Sequence, residues 1–289
     1  MGSSEPRLVG VRTLGVRDLS DWASQATPLV EQAFGGDRAP GWLALKLRRE
    51  VAQAHWSSVA LTGTDARPKW ADAIGFMWVG GPGSLPGTAR ALGMGVLPAY
   101  RRRGVARRLV EHTLDLLAGE DVERLRCLVE PDLEPFYASL GFEPVGHRLT
   151  LVAQGQGPTP IQADRARAWS DLGELGARCE WLEEAWEGTP TTHRFTLDLE
   201  RSGARAWVSL ERGGWLVQRL ATPAATTSAI VATLSELLRR LPAGETAFLY
   251  GVPEPFVRAH GLVGSGRVAP WSVAQRFVLM ERFTTRPSP

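Results

Sequence analysis

The chain has 289 residues, 44% hydrophobic and 22% charged, with a net charge of +2. This is the composition of a globular protein with sizeable cores, at a length that suits roughly two domains. Near-balanced charge excludes bulk nucleic-acid binding, and no run approaches the roughly 18 apolar residues of a membrane span. Cys127 and Cys179 give neither a disulfide framework nor a zinc spacing. The first residues have no apolar signal-peptide core. A cytoplasmic protein without a metal is the expectation.

In chain order, apolar alternation predicts a first strand over 8–18, with helical spacing over 19–34 and 41–54 and a glycine-rich loop at 35–41. Strands are predicted near 56–62, 71–79 and 89–97, the last two joined by a Gly/Pro-rich turn. A helix over 104–118 keeps Val105, Leu109, Leu116 and Leu117 near one face. A strand at 125–129, a short helix at 134–140 stopped by Gly141, and a strand at 145–152 follow. Residues 153–160, rich in Gly and Pro, read as a linker, giving domains over 1–153 and 161–289.

The second half repeats the plan. Helical spacing covers 166–186, and strands fall near 193–199, 204–210 and 215–221. A helix over 225–240, a strand at 245–251, a short helix at 254–260 and a strand at 274–282 complete it. Pro98 and Leu109 match Pro223 and Leu234, and Glu134-Pro135-Phe136 with Gly141 matches Glu254-Pro255-Phe256 with Gly261, which reads as an internal duplication.

The chemistry concentrates at 93–109. A strand leads through Pro98 to a helix that opens on Gly104 with Arg101, Arg102, Arg103, Arg107 and Arg108 around its first turns. Cations are unfavourable at the positive end of a helix dipole unless an anion sits there. Free backbone N–H groups, a glycine allowing close approach and clustered guanidiniums suit a phosphate or pyrophosphate. No Gly-Lys-(Ser/Thr) follows, so a Walker-type nucleotide site is disfavoured.

The run Val96-x-Pro98-x-x-Arg101-x-x-Gly104-x-Ala106, followed by Phe136-Tyr137-Ala138-Ser139-Leu140-Gly141-Phe142, resembles the acetyl-CoA signature and the later aromatic-Tyr helix of the GNAT superfamily of N-acetyltransferases. The resemblance covers about residues 7–152. It implies an α/β fold of two GNAT-like domains, each a mixed, mostly antiparallel sheet flanked by helices. It implies acetyl-CoA as co-substrate, its pyrophosphate cradled by backbone around Arg102, Arg103, Gly104, Val105 and Ala106. Arg101, Arg103 and Arg107 are candidates to pair with the pyrophosphate or the 3′-phosphate. The strand carrying Met94, Gly95 and Val96 is expected to be bulged, to pair with the pantetheine arm and to polarise the thioester carbonyl through a backbone N–H. Tyr137 matches the family's general acid.

The base is less defined. No carboxylate stands on the 89–94 strand; Glu130 is the first candidate, then Asp72 and Glu50, with His55 as a weaker one and a solvent chain as the alternative, while His112 reads as a surface or structural residue. In the second half Thr226, Ala229 and Val231 align with Arg101, Gly104 and Ala106, and Val257 replaces Tyr137. This reads as a degenerate GNAT-like domain, hence one cofactor site per chain. Six of the 11 tryptophans lie there (Trp169, Trp181, Trp186, Trp207, Trp215 and Trp271), as core or as lining of an acceptor pocket. The expected reaction is acetyl transfer to a primary amine of a small molecule or peptide in a ternary complex, by a monomer or homodimer. A non-catalytic CoA-binding or sensing protein, or use of another acyl-CoA, are the alternatives.

Overall fold

The computed structural model describes residues 12–15, 25–35, 42–49, 52–63, 69–81, 86–158, 164–165, 193–211, 214–224, 226–263 and 270–284. Glu50, Cys179 and residues 166–186, for which a helix is expected, with Trp169, Trp181 and Trp186, lie outside them. The chain divides into two compact units. The first comprises Met1–Cys127, Pro135–Glu143 and Glu281–Pro289, the second Leu128–Glu134 and Pro144–Met280.

In the first unit, β1 (Arg12–Gly15), β2 (Ser58–Leu61), β3 (Ala73–Gly80) and β4 (Thr88–Val96) pair antiparallel in sequence order. β5 (Arg124–Val129) then pairs parallel to β4. β3 is buried along its whole length, because its near-continuous apolar run serves both sheet faces. Phe76 and Trp78 point to one face, where they stack with ring centroids 4.9 Å apart. They pack there with Leu29, Val30 and Ala33 of α1 (Thr27–Phe34) and Leu43 and Leu47 of α2 (Trp42–Arg49).

The opposite face receives α3 (Val105–Ala118), which buries Val105, Leu109, Val110, Thr113, Leu114 and Leu117. A Cβ on Gly75 would stand 3.2 Å from Leu109 and 3.3 Å from Val105, so that glycine sets the close approach of β3 and α3. Ser58 of β2 sits 2.8 Å from the Thr113 hydroxyl and donates to the Leu109 carbonyl at 3.2 Å, satisfying buried polar groups at this seam. The short helix α4 (Glu134–Ser139) follows β5, and Gly141, at φ 84°, turns the chain out of it.

The second unit has the same order of pairing. β7 (Asp164–Arg165), β8 (Arg194–Leu199), β9 (Ala204–Glu211) and β10 (Gly214–Ala221) pair antiparallel. β11 (Thr246–Pro253) joins β10 in parallel. α5 (Thr227–Arg240) buries Ile230, Leu234, Leu237 and Leu238 against Leu197, Leu199, Val208, Val217 and Ala247. The short α6 (Glu254–Ala259) follows β11. Trp207, Trp215 and Trp271 are all buried.

Two observations alter the sequence reading. First, β6 (Glu143–Gln154), expected to finish the first domain, groups with the second unit from Pro144 onward and pairs antiparallel with β11, from Thr246↔Gln154 to Pro253↔Arg148. Conversely, the last strand, β12 (Ser272–Phe283), crosses into the first unit at Glu281. There Arg126 Nε donates to Glu281 Oε2 at 2.5 Å, and Thr284 N–H donates to the Glu123 carbonyl at 2.9 Å.

Second, the presumed linker is tightly held within the second unit. Gly155 N–H donates to Glu245 O at 2.8 Å and Gly157 N–H to Leu241 O at 2.8 Å. A Cβ at Gly155 would fall 2.2 Å from Pro242 O, and one at Gly157 2.2 Å from Arg239 O. These glycines serve close backbone approach rather than freedom of motion.

Candidate active site

The site begins where β4 leaves its neighbours. Its parallel pairing with β5 runs only from Thr88↔Arg124 to Arg90↔Arg126. On the β3 side a bulge falls at Leu92, between the pairs Trp78↔Gly93 and Val79↔Ala91, and a bulge bends the strand that carries it. Beyond Arg90 the β4 backbone is therefore paired with β3 on one edge, and its β5-side edge stays open. Gly93, Met94 and Val96 are half-buried there. Gly95 is buried for a different reason: a Cβ would meet the Phe76 ring at 2.7 Å and Ala33 at 3.0 Å. Side-chain packing excludes a larger residue at Gly95, while Gly93 has open space around its Cβ direction.

At the end of β4 the chain makes a compact turn. Leu97 N–H donates to Ile74 O at 2.8 Å, and Tyr100 N–H donates to Leu97 O at 2.8 Å. Arg102 takes φ 60°, a left-handed conformation that costs a non-glycine residue about 1 kcal/mol or more. Gly104 follows at φ 78° as the N-cap of α3. The first helical bond is Arg108 N–H to Gly104 O at 3.1 Å, so the N–H groups before it have no helical acceptor. No side chain caps this end, and nothing lies within 4 Å of a Cβ placed on Gly104. Val105 is buried and Ala106 half-buried at the base of the turn. The result is an open, exposed N–H cradle that fits an anion.

The arginines divide by role. Arg101 turns back into the protein, donating from Nε to Val96 O at 3.0 Å and from Nη2 to Ala33 O at 2.6 Å. It latches the turn to the last turn of α1. Arg107 Nη2 donates to Ser139 O at 2.8 Å. Arg103 is exposed, its guanidinium 5.9 Å from the centre of the Tyr100 ring, and Arg102 is exposed beside it.

Tyr137 lies half-buried on α4, its ring edge-on to Phe136 at 5.4 Å and Phe142 at 5.6 Å. Burial pushes its phenol well above the usual tyrosine range, and Cys127 of β5 adds to the shift. Cys127 is itself buried, which raises its thiol. Both groups therefore hold their protons at neutral pH.

The base candidates scatter. Glu130 is exposed after β5 and belongs to the second unit, where its Oε1 accepts from Gln275 at 3.0 Å. Asp72 closes a 3-10 turn, Trp70–Asp72, and its carbonyl accepts from Thr62 N–H at 2.9 Å. His55 packs edge-on against Trp56 at 5.2 Å. His112 is half-buried on α3. Among the described residues no group of three or more His, Cys, Asp or Glu is arranged to hold a metal, and no helix is long and apolar enough to cross a membrane.

The starts of α3 and α5 correct the internal alignment. The residue in the place of Gly104 is Thr226, not Ala229: it is the N-cap of α5, and its Oγ1 accepts from Ala229 N–H at 3.3 Å. Val257, in the place of Tyr137 on α6, is buried in the second core.

Sequence reasoning had no signal for the carbonyl partners of Arg101 and Arg107, or for the contact of Arg282, on β12, with the Leu140 carbonyl. A guanidinium that meets a backbone oxygen depends on the fold, not on the identity of the residue it meets.

The family described as acetyltransferase (GNAT) domain matches residues 66–144, which span β3 to the end of α4. Solved structures of that fold align over nearly the whole chain. A GCN5-related N-acetyltransferase from Anabaena variabilis aligns with 14% identity and a TM-score of 0.60, over 95% of this chain and 73% of that one. Another from Kribbella flavida aligns with 17% identity and a TM-score of 0.59, over 94% and 71%. Residues 66–144 thus match the GNAT acetyltransferase domain, and the chain shares the fold of these structures. Among the similar structures is a tandem GNAT protein from the clavulanic acid biosynthesis pathway, with 15% identity and a TM-score of 0.54 over 96% of this chain and 100% of that one. At these identities the likeness is one of fold. No curated protein matches the sequence.

Proposed function

We propose that the first unit transfers an acetyl group from acetyl-CoA to a primary amine of a small molecule or peptide, by direct attack in a ternary complex, and that the second unit is a degenerate GNAT-like domain without a cofactor site. The observation that carries this is the open β4 edge beyond Arg90↔Arg126, leading directly into the uncapped helix at Gly104. An extended amide-bearing arm ending in a pyrophosphate suits that sequence of features. The backbone of Arg102, Arg103, Gly104, Val105 and Ala106 holds the pyrophosphate in this reading. The exposed Arg102 and Arg103 supply charge, and Arg101 and Arg107 brace the cradle from behind.

The amine nitrogen attacks the thioester carbonyl carbon, whose oxygen is polarised by a backbone N–H near Met94, Gly95 and Val96. The C–S bond then breaks, and the Tyr137 hydroxyl gives its proton to the departing sulfur. A phenol carries its proton at neutral pH, so Tyr137 has one to give; burial raises it further and makes it the weaker acid, so the role rests on its place on α4. The ammonium proton leaves to Glu130 or to water.

A panel of amines assayed for acetyl-CoA-dependent CoA release tests the reading. An acceptor that raises release above hydrolysis, with Tyr137→Phe lowering kcat by about 100-fold at little cost in CoA affinity, is the expected result. Tight CoA binding with no acceptor would instead leave a sensing protein.

A further inference from the structure

α4, which carries Tyr137, has six residues, too few to be stable alone. Its position therefore depends on what holds its ends. At the C-terminal end the Tyr137 carbonyl accepts from Leu140 N–H at 3.0 Å and from Phe142 N–H at 3.1 Å. The next free carbonyls are taken by two guanidiniums. Arg107, from the first turn of α3, donates to Ser139 O at 2.8 Å. Arg282, from β12, donates through Nη1 to Leu140 O. Cations suit the negative end of a helix and the carbonyls it leaves unpaired.

Arg282 reaches this carbonyl from 142 residues away in sequence, and its own backbone is fixed on both sides. Glu281 is buried, with Arg126 Nε at 2.5 Å and Arg124 Nη1 at 3.9 Å. Thr284 Oγ1 donates to Val122 O at 2.6 Å. A Cβ at Gly141 would stand 3.3 Å from the Arg282 guanidinium, so this glycine leaves the side chain its place.

We propose that Arg282 is a positioning residue for the transfer reaction: it holds the Tyr137 helix so that the phenol stays at the thioester, which makes the last strand of the chain part of the first unit's catalytic apparatus. The inference rests on reading Tyr137 as the proton donor. It does not place Arg282 on the substrate.

The test uses the full chain, with acetyl-CoA and the best amine of the panel, and the variants Arg282→Ala, Arg282→Lys, Tyr137→Phe and the double variant Arg282→Ala/Tyr137→Phe. Arg282→Ala is expected to lower kcat about 10-fold or more, since small misplacements of a reacting group are costly. KM for acetyl-CoA and the dissociation constant of CoA should stay within about twofold. Lysine, which keeps a donor and the charge, should restore most of the rate. In the Tyr137→Phe background Arg282→Ala should cost less than about twofold, because the group it positions is gone. Should Arg282→Ala fail to fold by circular dichroism, Arg282→Gln, which retains a donor-bearing amide, carries the same comparison.

A full loss that persists in the Tyr137→Phe background, a loss confined to KM, or an unchanged rate in Arg282→Ala would each overturn the proposal. If Tyr137→Phe alone keeps full activity, the proton-donor reading falls and this inference with it. If Tyr137→Phe is slow and Arg282→Ala is not, only the role of Arg282 falls.

Discussion

The helices α3 and α5 are each 14 residues long, each follow a bulged strand, and each pack an apolar stripe on a sheet, yet they begin in opposite ways. α3 starts from a left-handed Gly104 with no side-chain cap and open space before it. α5 starts from an extended Thr226, whose hydroxyl takes up Ala229 N–H and whose carbonyl accepts from Ile230 N–H at 3.0 Å. One end has no side-chain cap; the other caps Ala229 N–H with a hydroxyl from its own sequence. The parallel pairings behave alike in both units, with β10 and β11 joined only from Gly214↔Thr246 to Leu216↔Phe248. What separates the two units at this point is therefore a single cap and its neighbours, not the scaffold.

The strongest way to break the comparison is to close the open end. Gly104→Val puts a β-branched side chain at φ 78°, where such residues are strongly disfavoured. It also fills the space a phosphate needs. The dissociation constant of CoA, measured by calorimetry, should rise about 100-fold or more, equivalent to roughly 3 kcal/mol. Unchanged affinity would mean that the anion sits elsewhere.

Much of this contrast was legible in the sequence, and its limits are instructive. The period of the apolar residues located β8 to β12 and α5 within a few residues, because each element buries one face. The short helix at Glu134 and its counterpart at Glu254 aligned residue for residue, because Glu-Pro-Phe opens both. The longer helices did not: a leucine stripe repeats every turn, so matching Leu109 to Leu234 left the register undecided by whole turns, and only the caps fixed it. Gly155 and Gly157 looked like a linker because composition does not distinguish a glycine that bends from one that is pressed on. The contacts of Arg101, Arg107 and Arg282 end on main-chain oxygens and leave no trace in residue types. The transfer of β6 and the end of β12 between units follows from strand pairing over long sequence separations, which local pattern cannot report.

A second test asks whether the second unit is held by equally local devices. Glu236, on the buried side of α5, accepts from Arg201 N–H at 2.9 Å and from Ser202 N–H and Ser202 Oγ, both at 2.7 Å. Burial alone would push this carboxyl up. The Ser202 hydroxyl, the two backbone donors and Arg239 outweigh it, and the net shift is downward. A carboxyl lowered on folding contributes stability above its ordinary value, and that contribution is lost as pH falls through the folded value. Glu236→Gln should cost about 1.5–3 kcal/mol at neutral pH. Chemical denaturation should show the gap to the parent narrowing below about pH 4.5. A gap that stays constant with pH would assign the effect to packing instead of charge.

The smallest expected effect sharpens the comparison most, because it isolates the cap. Thr226→Ala removes the hydroxyl that receives Ala229 N–H and should destabilise the protein by about 1 kcal/mol. Thr226→Gly should cost only a few tenths, since glycine is itself tolerated at an N-cap. Neither is expected to change CoA affinity if the second unit has no cofactor site. The informative outcome is Thr226→Gly, which gives α5 the same cap residue as α3. CoA titration that stays at one site per chain means the cap alone does not make a cradle, and that the left-handed turn at Arg102 and the exposed guanidiniums are needed with it. A second binding event would mean that Thr226 is what closes a competent site.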